Sequence, residues 1–132
     1  MGQPAAKKGD QVVGTDTHIV MVPQPTGPPV PTPLPHPFRG MLDGNLSLNV
    51  KIMGQPAAMV GSTASNQPPH FPTPPGTSFQ VPPQNRATVM TGSGTVKING
   101  KQAARNGDRA QSCFDVPGPP STVVAVGTVL VG

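Results

Sequence analysis

The sequence predicts a single all-β domain in which one unit recurs three times about a pseudo-threefold axis. Three observations lead there. The chain has 20 prolines and 16 glycines in 132 residues, and its Pro-free windows (5–22, 38–55, 57–67, 84–116, 121–132) carry no Gly-free apolar stripe at helical spacing. A nine-residue motif returns three times. The scarcest chemical side chains recur in phase with it.

The motif begins at Gly2 as Gly-Gln-Pro-Ala-Ala-Lys-Lys-Gly9-Asp10, returns at Gly54 as Gly-Gln-Pro-Ala-Ala-Met-Val-Gly61-Ser62, and again at Gly100 as Gly-Lys-Gln-Ala-Ala-Arg-Asn-Gly107-Asp108. Val50-Lys-Ile-Met and Val96-Lys-Ile-Asn precede the second and third copies, whereas the first has only Met1 before it. The strand-like end, Thr122 to Gly132, can supply what that copy lacks. Pro and Gly at this level signal disorder only without a period, and here there is one.

Each unit reads as short strands and turns. Leu46, Leu48, Val50 and Ile52 alternate with Ser47, Asn49 and Lys51, the period of a half-buried strand. Gly54 and Gly100 open a turn, and Ala-Ala is small enough to pack where three strands converge. Gly9, Gly61 and Gly107 form a second turn in which Asp10 and Asp108 cap nearby N–H groups, a structural role. The Pro-rich stretches 23–37 and 68–83 read as connecting loops.

His18 lies 16 residues after Gly2, His70 lies 16 after Gly54, and the only cysteine, Cys113, lies 13 after Gly100. Related positions in three units converge on the axis between them. Two imidazoles and a thiolate at a point form a transition-metal site, with zinc the first expectation and iron the alternative. A closed tetrahedron needs a fourth donor, and His36 is the histidine left. Asp16 and Asp115, two residues from His18 and Cys113, are candidate outer partners. A structural ion would also stabilise a chain whose only aromatics are four phenylalanines.

With these residues in view, the chain resembles the PAAR-repeat proteins, the spike tips of type VI secretion and related contractile injection systems. The match rests on Pro4-Ala5-Ala6 with Gly9-Asp10, on Pro56-Ala57-Ala58, and above all on Val96-Lys-Ile-Asn-Gly100 followed by Gln102-Ala-Ala-Arg-Asn-Gly107-Asp108. The resemblance implies a small cone of strands with a metal at its apex, held by three histidines and a cysteine; His18, His36, His70 and Cys113 match those positions. It also implies a broad base capping a trimeric spike protein of the VgrG-like or phage-spike kind, effector proteins as companions, and transient contact with a target membrane. The chain departs from the motif at Lys7-Lys8, at Met59-Val60 with Ser62, and at Gln102. Residues 1–132 hold the fold with no effector extension, so an effector would be a separate protein.

Other classes fit less well. The net charge of +4 comes from scattered cations, without the basic patch and stacking aromatics of a nucleic-acid binder. No run approaches the roughly 20 apolar residues of a membrane span. The N-terminus lacks an apolar signal core, so the chain is expected to start in the bacterial cytoplasm and leave at the tip of the apparatus. A zinc hydrolase needs an open coordination position and a carboxylate base, which a four-ligand site does not offer; no catalytic residue is expected. The alternative is a Pro-rich adaptor whose residues 23–37 present PxxP spacings to SH3-like domains.

Overall fold

A computed structural model of the protein describes residues 2–115 and 117–132. Among them there are thirteen strands and no helix, in line with the all-β expectation. In chain order the strands are β1 (Gln3–Pro4), β2 (Gln11–Val22), β3 (Val30–Gly44), β4 (Lys51–Ile52), β5 (Gln55–Pro56), β6 (Thr63–Asn66), β7 (Ser78–Phe79), β8 (Arg86–Val89), β9 (Lys97–Ile98), β10 (Lys101–Gln102), β11 (Arg109–Gln111), β12 (Ser121–Val124) and β13 (Leu130–Val131).

Ala-Ala builds the threefold centre. The amide of Ala58 donates to the carbonyl of Ala6 at 3.0 Å, Ala104 to Ala58 at 3.1 Å, and Ala6 to Ala104 at 2.9 Å, closing a ring of three hydrogen bonds within one chain. Bridges Lys7–Ala57, Met59–Ala103 and Arg105–Ala5 repeat the same cycle. All six alanines are buried, and only a methyl group fits where three backbones approach this closely.

Below the ring hang three antiparallel pairs of two-residue strands: the hairpins β4–β5 and β9–β10, and β1 with the sequence-distant β13. Gln3 pairs with Val131 as Gln55 pairs with Ile52 and Lys101 with Ile98. The C-terminus therefore supplies the strand missing from the first copy. Ile52, Ile98 and Val131 form a small core there with Ala5, Ala57 and Ala103.

Above the ring, β2, β3, β6, β8, β11 and β12 pair in that order, and β12 returns to β2, so six strands close on themselves without a free edge. Each motif copy is followed by two of them. The inward residues Val12, Phe38, Leu42, Ala64, Val89, Ala110 and Val123 fill the interior. At Gly40 a Cβ would lie 2.8 Å from the Phe38 ring and 3.1 Å from the Ala64 methyl, so this strand position needs glycine.

The turns between ring and barrel also repeat. Asp10 Oδ2 accepts from Lys7 N at 3.0 Å, Asp108 Oδ2 from Arg105 N at 2.8 Å, and Ser62 Oγ from Met59 N at 3.0 Å. Gly9, Gly61 and Gly107 have φ of 92°, 97° and 90°, and Gly54 and Gly100 have 82°.

Two expectations are corrected. The alternation from Leu46 to Ile52 yields a strand only at Lys51–Ile52. Ser47 Oγ accepts from the amides of Val50 at 2.9 Å and Asn49 at 3.4 Å, and this local bond bends the chain and leaves Leu48 96% exposed. The Pro-rich stretch 23–37 is a loop only over 23–29, because Val30–Pro37 is the first half of β3 and pairs with β2 residue by residue from Val22↔Val30 to Gln11↔Met41. Pro31, Pro33, Pro35 and Pro37 fall on every second residue, so the donors they remove all lie on the outer edge and the bonds to β2 survive. An SH3 ligand would need that stretch as an unpaired polyproline helix.

Candidate metal centre

The hairpin β2–β3 runs well beyond the six-stranded barrel and carries the site. The two-residue period puts Asp16, His18 and Val20 on the inner face of β2, and His36 on the inner face of β3. His70 arrives from the segment after β6, where its amide donates to Asn85 Oδ1 at 2.7 Å. Cys113 follows β11. Phe79 of β7, opposite Val20, covers the group with its ring centroid 5.6 Å from His18 and 5.3 Å from His36.

One donor atom each from Asp16, His18, His70 and Cys113 lies within 4.8 Å of all the others. His18 Nε2 is 3.7 Å from Cys113 Sγ, Asp16 Oδ2 is 2.9 Å from His70 Nε2, and Cys113 Sγ is 3.3 Å from Asp16 Oδ2. A tetrahedral site with metal–ligand bonds of about 2.0–2.3 Å has edges of roughly 3.3–3.8 Å; the two separations from Cys113 Sγ fall in that range, while the 2.9 Å between Asp16 and His70 is a hydrogen bond.

His36 belongs to the same nest, with its ring centroid 5.3 Å from His18 and 5.7 Å from His70. Its nitrogens are otherwise engaged. Nδ1 lies 2.9 Å from the Leu34 carbonyl, which makes it the protonated one, and Nε2 accepts from Thr73 N at 3.1 Å. The structure thus groups His18, His70 and Cys113 with Asp16, and sets His36 beside them with its lone pair held by a backbone amide. Asp16, seen in the sequence only as an outer partner, stands among the donors. Thr73 and Phe79 carried no signal there, since both lie in aperiodic, Pro-rich chain.

The electrostatics suit a cation. Burial alone would raise the pKa of Asp16, but hydrogen bonds from His70, Ser112 and Cys113 outweigh it and hold the carboxyl below its ordinary value. Burial lowers the pKa of His36; the Leu34 carbonyl opposes this, and the His18 and His70 rings add to the lowering, so the imidazole is neutral as a ligand must be. Burial pushes the Cys113 thiol up to about 11, with Asp16 adding to the rise. Backbone hydrogen bonds from Asn85 and Arg86 work the other way and are placed to steady a thiolate once it forms.

One atom in the cluster is left over. His18 Nδ1 is buried without a hydrogen-bond partner, while Asp115 Oδ1 lies 3.3 Å away. An outer carboxylate beside the remote nitrogen of an imidazole is the arrangement that orients metal-bound histidines. Donor chemistry, spacing and this outer contact all fit a metal ion, with the soft thiol and imidazoles favouring zinc or iron over magnesium or calcium.

A family model described as PAAR motif matches residues 1–113. No curated protein matches the chain.

Proposed function

The chain belongs to the PAAR-motif family, and from that membership we propose that it caps and sharpens the trimeric spike of a contractile injection apparatus. The observation that carries the reading is the ring of hydrogen bonds joining Ala6, Ala58 and Ala104. A monomer that is threefold in its backbone can meet three identical subunits at once, where an ordinary monomer would match one and clash with two. The strand pairs β1–β13, β4–β5 and β9–β10 form the end that would face the spike, and their short strands offer edges for addition.

The proposed metal centre lies at the opposite end, with His18, His36, His70 and Cys113 as its ligands, His36 exchanging the Thr73 amide on its Nε2 for the ion, zinc first and iron second. A bound ion of this kind supplies a closed crosslink. The chain's own residues place that crosslink across the far end of β2 and β3, where the barrel no longer encloses them. The role is mechanical and needs no turnover: an apex tied this way resists deformation as it is driven into a membrane. No helix of the described residues is long and apolar enough to cross a membrane.

Elemental analysis and spike binding test this. Purified protein should carry one zinc or iron per chain, and His18→Ala and Cys113→Ala should lose it along with much of the thermal stability. Mixed with a cognate trimeric spike, it should elute as one chain per trimer. A metal-free wild type, or a complex with three chains per trimer, would refute the reading.

A further inference from the structure

A set of three imidazoles and one thiolate leaves a buried carboxylate unexplained. Asp16 is fully buried on β2, and it is surrounded by donors. Ser112 Oγ donates to Oδ1, and Ser121 Oγ donates in turn to Ser112 Oγ at 3.1 Å. Oδ2 accepts from His70 Nε2 at 2.9 Å and from the Cys113 thiol at 3.3 Å. Among the described residues, Asp16 is paired only with His18 and His70, and no lysine or arginine reaches it.

The charges then decide what Asp16 is for. A divalent ion with one thiolate is a buried unit of net positive charge, and an uncompensated buried charge is strongly disfavoured. Of the two carboxylates nearby, Asp16 is the fully buried one and brings the buried sum to zero, whereas Asp115 beside His18 is 18% exposed and keeps contact with water. A monovalent ion such as Cu⁺ is already neutralised by the thiolate, and Asp16 would leave it one negative charge in excess. Resting on the metal reading above, we propose that Asp16 is the counter-charge of the centre: it accepts from the Cys113 thiol and the His70 imidazole in the metal-free chain, and once a thiolate forms its charge favours divalent over monovalent ions.

The test compares ions of different charge on the full-length protein. Metal-stripped wild type and Asp16→Asn are titrated with Co²⁺, Zn²⁺ and, under anaerobic conditions, Cu⁺, each against a competing chelator of known affinity. The thiolate-to-cobalt charge-transfer band reports occupancy. Asp16→Asn should weaken Co²⁺ and Zn²⁺ binding by about 10–100-fold and leave Cu⁺ binding unchanged or tighter. Equal weakening of all three ions would mean a purely structural role, and unchanged Co²⁺ affinity would mean no role; either overturns the proposal. Should wild type bind none of the ions, the metal reading itself fails, which is a separate result. If Asp16→Asn does not fold, Asp16→Glu decides. It keeps the charge, so its Co²⁺ to Cu⁺ preference should stay within about tenfold of wild type, and a larger loss of that preference overturns the proposal.

Discussion

Cys113 is pulled in two directions, and the balance can be measured. Without metal its proton is held, because the thiol pKa is pushed from 9.0 to about 11 by burial and by Asp16. Below pH 9 the thiol is protonated in both folded and unfolded chains. Between pH 9 and about 11 the unfolded chain ionises first, so metal-free protein should lose stability as pH rises through that window. Metal binding requires the thiolate, so at pH 7 it should release about one proton per ion, readable as buffer-dependent heat in calorimetry. Cys113→Ser should abolish the high-pH loss. At this scale the sequence was informative where residue type coincided with repeat phase: the spacing that singles out His18, His70 and Cys113 also brings them together. Asp16 was legible only through its two-residue offset from His18, which puts both on one face of β2. The engagement of His36 with Thr73 was not legible, because the partner is a backbone amide in a segment with no pattern.

Among the elements, the hairpin turns show one motif solved twice, once at a cost. Asn99 and Gly100 have φ of 52° and 82°, the paired left-handed geometry for which Asn-Gly is best suited. Met53 and Gly54 adopt the same turn at 51° and 82°, and a bulky methionine is strained there. Met53→Asn should raise stability by about 0.5–1 kcal/mol, seen as a higher denaturant midpoint with an unchanged slope. The repeat made these turns and the pairing of β1 with β13 readable in advance. The strand expected over Leu46–Ile52 was misread because alternation says nothing of the bond from Ser47 Oγ to the Val50 amide, repeated by Ser93 Oγ and Val96 at 3.0 Å. The Pro-rich half of β3 was misread for a different reason. Proline forbids a central strand, yet four prolines in step along one edge leave the other edge intact.

At the level of the whole molecule, the threefold pattern is made by one chain in which β1 and the sequence-distant β13 pair with each other. Gln3 pairs with Val131, and the amide of Ala5 donates to the carbonyl of Val129 at 2.8 Å. This has a kinetic consequence. The first motif copy precedes the others but cannot complete its strand pair until β13 exists, so closure joins residues as far apart in sequence as Gln3 and Val131. Pairing over such separation costs loop entropy before any contact repays it, placing the protein among slow, high-contact-order folders. The second and third copies, whose hairpins are local, should be organised before the seam closes. Val131→Ala should therefore speed unfolding and leave the refolding rate almost untouched, while Ile98→Ala should slow refolding. Stopped-flow chevrons on the two variants would show it, and equal effects on both limbs would place the seam in the nucleus. What looks like a symmetric object at rest is assembled in a fixed order, with β13 acting as the clasp.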